Sequence, residues 1–154
     1  MRTLFFSLLL MLNLAANSQN QNAPVPVAWT ASYTDLPNNE GEIVFKAKID
    51  PKWHIYSQRP TDAGPIPTSI NVVPGAGFEL VGKVEESNSH EEYVPAFEAK
   101  VFVFEKEAVF KQKIKRKTTA GTTIHATVEY MTCNDRQCLP PKTVELNVAI
   151  PAKK

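Results

Sequence analysis

From residue 25 to residue 150, apolar side chains return at every second position in one short run after another. Val25, Val27, Trp29, Ala31 and Tyr33 share one parity. Ile43, Phe45, Ala47 and Ile49 share another and alternate with Val44, Lys46 and Lys48. A period of two marks a strand with one buried face. The same period recurs in Phe78, Leu80, Gly82 and Val84; in Ala108, Phe110, Gln112 and Ile114; in Ile124, Ala126, Val128 and Tyr130; and in Val144, Leu146, Val148 and Ile150. Two shorter runs complete the set. In Trp53-His54-Ile55-Tyr56, Trp53 and Ile55 face one way and His54 and Tyr56 the other; the second run covers 69–73. Residues 100–104 are apolar on both faces, as in a strand covered on both sides.

Turn chemistry punctuates these runs. Leu36-Pro37-Asn38-Asn39-Glu40-Gly41, Asp50-Pro51-Lys52 and Pro74-Gly75-Ala76-Gly77 are turns. Residues 58–68, with Pro60, Gly64, Pro65 and Pro67, form a loop that cannot be helical. The acidic stretch 85–98, in which Tyr93, Pro95 and Phe97 are embedded, reads as a second long loop. No window has a helical period. Eight or nine short strands predict an all-β chain folded as a two-layer antiparallel β-sandwich, one domain over 25–151 without internal repeats. The apolar positions suffice for one core, and Phe102, Phe104 and Phe110 are expected within it.

The first 24 residues stand apart. Arg2 precedes the apolar run Leu4-Phe5-Phe6-Ser7-Leu8-Leu9-Leu10-Met11-Leu12, and Ala15-Ala16-Asn17-Ser18 supplies small residues for cleavage. This is the three-part pattern of a secretory signal peptide, shorter than the roughly 18–20 apolar residues of a membrane span. Residues 1–18 are therefore expected to be removed on export, with 19–24 a disordered leader and no membrane span in the mature chain. Cleavage removes Arg2 and no acid, which leaves 16 basic and 16 acidic side chains. A net charge of zero argues against nucleic acid as a partner.

Both cysteines lie in Tyr130-Met131-Thr132-Cys133-Asn134-Asp135-Arg136-Gln137-Cys138-Leu139-Pro140-Pro141, with alternating runs on either side. Those runs place Cys133 and Cys138 on facing ends of adjacent strands with four residues between them, a hairpin-loop length at which a disulfide is sterically reasonable. In an exported chain two cysteines most often pair. Such a pair is either a structural staple or a redox centre. As a staple it achieves little, since closing so small a loop stabilises by only about 2 kcal/mol in the chain-entropy account. Disulfides closing short surface loops also tend to be accessible and exchangeable.

The stretch Tyr130-Met131-Thr132-Cys133, followed by Cys138-Leu139-Pro140-Pro141, resembles the active-site hairpin of the N-terminal domain of the thiol:disulfide interchange protein DsbD family. Lys52-Trp53-His54-Ile55-Tyr56 is similar to that family's short aromatic strand. Glu91-Glu92-Tyr93-Val94-Pro95-Ala96-Phe97 is similar to the loop that caps its cysteines. The resemblance extends over about residues 25–150, with four residues between the cysteines where some members have five. It implies an immunoglobulin-like sandwich and a periplasmic electron relay that takes reducing equivalents from a membrane-embedded donor and hands them to exported thioredoxin-fold partners. Carried onto this chain, Cys138 is the nucleophile and Cys133 resolves the mixed disulfide. Phe97 or Tyr93 caps the pair, and Tyr56 and Tyr130 line the site. Because the chain ends at Lys154 with neither a membrane domain nor a thioredoxin-like domain, the donor is expected to be encoded separately.

Other residues offer less. His54 is expected to pack on Tyr56, and His125 to be a solvated surface histidine. His90-Glu91-Glu92 reads as an exposed polar loop. No metal, cofactor or phosphate-binding motif is present in the sequence. The competing reading is a non-catalytic secreted binding module, whose loops at 58–68 and 85–98 contact a protein while the disulfide only stiffens a hairpin.

Overall fold

The computed structural model describes residues 24–61 and 64–153. The expected signal peptide, and all of the leader but Pro24, lie outside the described residues. Ten strands follow in chain order: β1 (Val27–Asp35), β2 (Glu40–Ile49), β3 (His54–Tyr56), β4 (Ser69–Val72), β5 (Phe78–Ser87), β6 (His90–Val94), β7 (Ala99–Glu105), β8 (Glu107–Arg116), β9 (Thr122–Cys133) and β10 (Cys138–Ile150). A single 3-10 turn, Pro95–Phe97, separates β6 from β7. The order β1-β2-β8-β5 makes one sheet. The order β10-β9-β3-β7-β6 makes the other, with β4 also paired to β9. The named strand pairings are antiparallel.

The alternation read from the sequence is the alternation that packs. Ile43, Phe45, Ala47, Phe110, Ile114, Ile124, Val128 and Ile55 are fully buried between the sheets. Phe104 and Phe110 meet at 5.3 Å in a T-shaped pair, and Trp29 lies over Phe110 at 5.7 Å. Each of the buried Ile, Val and Phe side chains contributes roughly 1.5–3 kcal/mol by leaving water. Phe102 departs from expectation: it is half-buried at the rim, where the Arg59 guanidinium covers its ring at 3.9 Å from the centroid.

Three local departures have physical causes. β5 runs past the expected end because Gly82, at φ 69°, allows a bulge between Val81 and Glu85. Gln112 lies opposite that bulge, and its side-chain amide donates to the Val81 carbonyl at 3.1 Å. β10 begins at Cys138, six residues earlier than its alternation suggests, and shifts register between Leu139 and Lys142, around the two prolines. Proline is tolerated there because β10 is an edge strand. Lastly, 85–98 is not a long loop. It comprises the end of β5, the edge strand β6 and the 3-10 turn, which raises the strand count to ten. Glu86 anchors this segment, accepting hydrogen bonds from the Gln58 backbone N–H at 2.7 Å and from the Ser57 hydroxyl.

Candidate functional site

β9 ends at Cys133 and β10 begins at Cys138, and the two residues are register partners with Cα atoms 4.0 Å apart. They form a disulfide. The turn between them is held without it. Asn134 N–H donates to the Gln137 carbonyl at 2.9 Å, and Asn134 Oδ1 accepts from the N–H groups of Arg136 and Gln137, each at 2.9 Å. This is the local side-chain bonding that suits Asn to turns. Within the disulfide the cysteines differ: Cys133 is 1% exposed, whereas Cys138 is only partly buried.

Strand parity decides what surrounds them. Tyr130 and Cys133 belong to opposite parities of β9, and so to opposite faces of the sheet. Cys133 points outward, away from the main core, into a small second apolar cluster with Tyr56, Val94, Val101 and Val103. Phe97, Ala99, Met131 and Cys138 border that cluster. The 3-10 turn brings Phe97 edge-on to Tyr56, with ring centroids 6.1 Å apart. Glu98, at φ 50°, then reverses the chain into β7, its N–H donating to the Pro95 carbonyl at 3.2 Å.

β3 lies beside β9, and His54 is the direct register partner of Cys133. Such pairs project to the same face. Thr132 Oγ1 donates to the His54 carbonyl at 2.9 Å, fixing the two strands together. His54 Nε2 lies 3.0 Å from Tyr56 Oη, and the rings meet at 5.2 Å in a T-shaped pair. A cavity of about 300 Å³ opens over the disulfide, lined by His54, Glu92, Val94, Pro95, Asp135 and both cysteines. Burial holds the His54 imidazole below its ordinary pKa of 6.5, against the opposing pull of Glu92, Glu105 and Asp135. Burial also pushes the Tyr56 phenol well above 10, so it stays protonated.

Of the residues singled out from the sequence, Cys133, Cys138, Tyr56 and Phe97 come together here. Tyr93 and Tyr130 do not. Tyr93 is 55% exposed and lies on the other face of β6 from Glu92 and Val94. Tyr130 sits in the main core against Trp29, with ring centroids 5.5 Å apart. His54 packs on Tyr56 as expected, but its place opposite Cys133 was not foreseen. The only signal for it was the parity it shares with Tyr56. His125 is on the surface, 2.6 Å from Asn147 Oδ1. Among the described residues no group of three or more His, Cys, Asp or Glu side chains is arranged to hold a metal ion.

The family described as "Thiol:disulfide interchange protein DsbD, N-terminal" matches residues 19–150. The chain belongs to this family. No curated protein sequence matches it. Among solved structures it is similar to the N-terminal periplasmic domain of ScsB from Proteus mirabilis, at 18% identity and a TM-score of 0.54, over 79% of this chain and 44% of that one. It thus spans less than half the length of the ScsB structure, and what the two share is the fold. The reduced form of the DsbD N-terminal domain from Neisseria meningitidis aligns at 15% identity and a TM-score of 0.49, over 81% of this chain and 87% of that one. The same domain in its complex with the PilB N-terminal domain aligns at 16% and 0.49, over 83% and 88%. The sandwich is thus the immunoglobulin-like fold of the DsbD N-terminal family, and this member carries a disulfide-bonded cysteine pair at its hairpin.

Proposed function

We propose that this chain is an exported thiol:disulfide interchange module that works through the Cys133–Cys138 pair. One observation carries the reading. In a member of the DsbD N-terminal family, the disulfide joins a buried cysteine to a partly exposed one beneath an apolar cover. In that arrangement the partly exposed Cys138 Sγ attacks a partner disulfide, and the buried Cys133 closes the ring again. Phe97, seated on Tyr56, shields the pair from adventitious thiols. Residues 1–18 direct export to the periplasm. The partners that fit are exported thioredoxin-fold proteins as acceptors and a membrane-embedded donor of reducing equivalents.

Redox equilibration against glutathione or dithiothreitol buffers tests this. An exchanging pair has a reduction potential above about −300 mV, and a structural staple lies below it. A value in the staple range sinks the proposal.

A further inference from the structure

We propose that His54 is the proton acceptor for Cys133 when that buried thiol closes the disulfide and releases a partner held on Cys138. This rests on the exchange reading given above. The thiolate, not the thiol, is the nucleophile. Cys138 can lose its proton to solvent, because it is partly exposed. Cys133, at 1% exposure, cannot, and burial in apolar surroundings disfavours its thiolate. The step that Cys133 performs therefore needs a base inside the protein.

His54 is the residue placed to supply it. It is the register partner of Cys133 across β3 and β9, and both side chains line the cavity over the disulfide. Tyr56 Oη occupies Nε2 at 3.0 Å. With Nε2–H donating to that oxygen, the lone pair is on Nδ1, and one tautomer serves before and after proton uptake. The surrounding charges suit both states. His90 and Glu92 face the ring from β6, Glu105 from β7 and Asp135 from the β9–β10 turn. Lys52 and Arg136 line a neighbouring hollow of about 360 Å³ together with Asp135. Burial keeps the imidazole neutral at rest, and the three carboxylates favour the imidazolium once it forms.

The exchange balances as follows. Cys138 Sγ forms a bond to one sulfur of the partner disulfide, the partner S–S bond breaks, and the Cys138 proton leaves with the first partner thiol. Cys133 then gives its proton to His54. Its thiolate attacks Cys138 Sγ, forming the intramolecular disulfide and expelling the second partner sulfur, which takes the proton back from His54. The partner gains two electrons and two protons, and the cysteine pair loses them.

The test is stopped-flow oxidation of the reduced protein by dithiodipyridine, which releases one chromophore when Cys138 is captured and a second when Cys133 closes the ring. The leaving group needs no proton, so the second phase isolates deprotonation of Cys133. His54→Gln is expected to lower the ratio of second-phase to first-phase rate by about 100-fold, the low end for general-base catalysis. It is also expected to abolish the acid inflection of the second phase, and added imidazole should restore that phase in His54→Ala. An unchanged ratio with the inflection intact overturns the proposal. Should the variants not fold, the wild-type inflection must coincide with the His54 imidazole titration followed by NMR, and a mismatch overturns the proposal equally. A wild-type protein with no first phase instead defeats the exchange reading itself. Two wild-type phases with a normal second phase in the variant remove only the role of His54.

Discussion

Tyr130 and Cys133 stand three residues apart on β9 and face opposite sides of the same sheet. One side of this strand packs the main core against Trp29, and the other carries the cysteine chemistry. Tyr130→Ala is therefore expected to cost about 3–5 kcal/mol of stability, as large aromatic truncations in cores do. The folded variant should keep the wild-type reduction potential. Urea denaturation and redox equilibration measure the two independently.

The unequal burial of the cysteines predicts unequal reactivity. Cys133→Ala leaves the partly exposed Cys138 thiol and should accumulate a mixed disulfide with a partner. Cys138→Ala leaves the buried Cys133 thiol, which should alkylate on the order of 10-fold more slowly or worse. Timed iodoacetamide labelling read by mass spectrometry compares them. Replacing both cysteines by alanine should cost only about 2 kcal/mol. A binding module would retain its partner after that double change, and an exchange module would lose all activity.

Phe97 touches Tyr56 beside the disulfide, whereas Tyr93 is exposed, so the two side chains should differ as covers of the pair. The edge-to-face contact of Phe97 with Tyr56 is worth about 0.5–1.5 kcal/mol beyond its buried area. Phe97→Ala should accelerate reduction of the disulfide by dithiothreitol about 2- to 13-fold, the rate equivalent of that energy. Tyr93→Ala should leave the rate where it is, since that ring is exposed on the other face of β6. Equal effects of the two changes would show that the cover is not specific to Phe97.

The pH dependence of stability has a sign fixed by His54. Its native pKa lies below the ordinary 6.5 because of burial. On acidification the unfolded chain therefore binds the proton first. Stability falls as pH drops below about 6.5 and levels off once the native imidazole has titrated too. Above 6.5 this contribution is constant. At the alkaline end the raised phenols of Tyr56 and Tyr130 act in the opposite sense, so stability declines as pH rises past about 10. Urea denaturation from pH 5 to 8 should show the acid limb, and His54→Gln should flatten it.

Much of the fold is legible along the chain because the sandwich has one buried face per strand. Phe45, Phe110 and Val128 announce themselves by parity and are buried as that parity requires. β6 gives no such signal. It is an edge strand paired only to β7, and His90-Glu91-Glu92 presents polar side chains to both faces. Without alternation it reads as loop, and Tyr93 then looks like a cap when it points away. β7 is legible for the opposite reason: its two-sided apolar run covers the main core with Phe104 and the cysteine cluster with Val101 and Val103. The place of His54 against Cys133 is a matter of register between two strands far apart in the chain. Local pattern carries no information about that.

The Asn134 turn has a kinetic consequence. Its hydrogen bonds, and the β9–β10 ladder below it, involve neither sulfur. Opening the disulfide therefore leaves the two thiols tethered at a high effective molarity, where intramolecular attack outruns any encounter with a second molecule. In the proposed exchange, release of a partner from Cys138 then waits on deprotonation of Cys133, because the turn already holds the two sulfurs together.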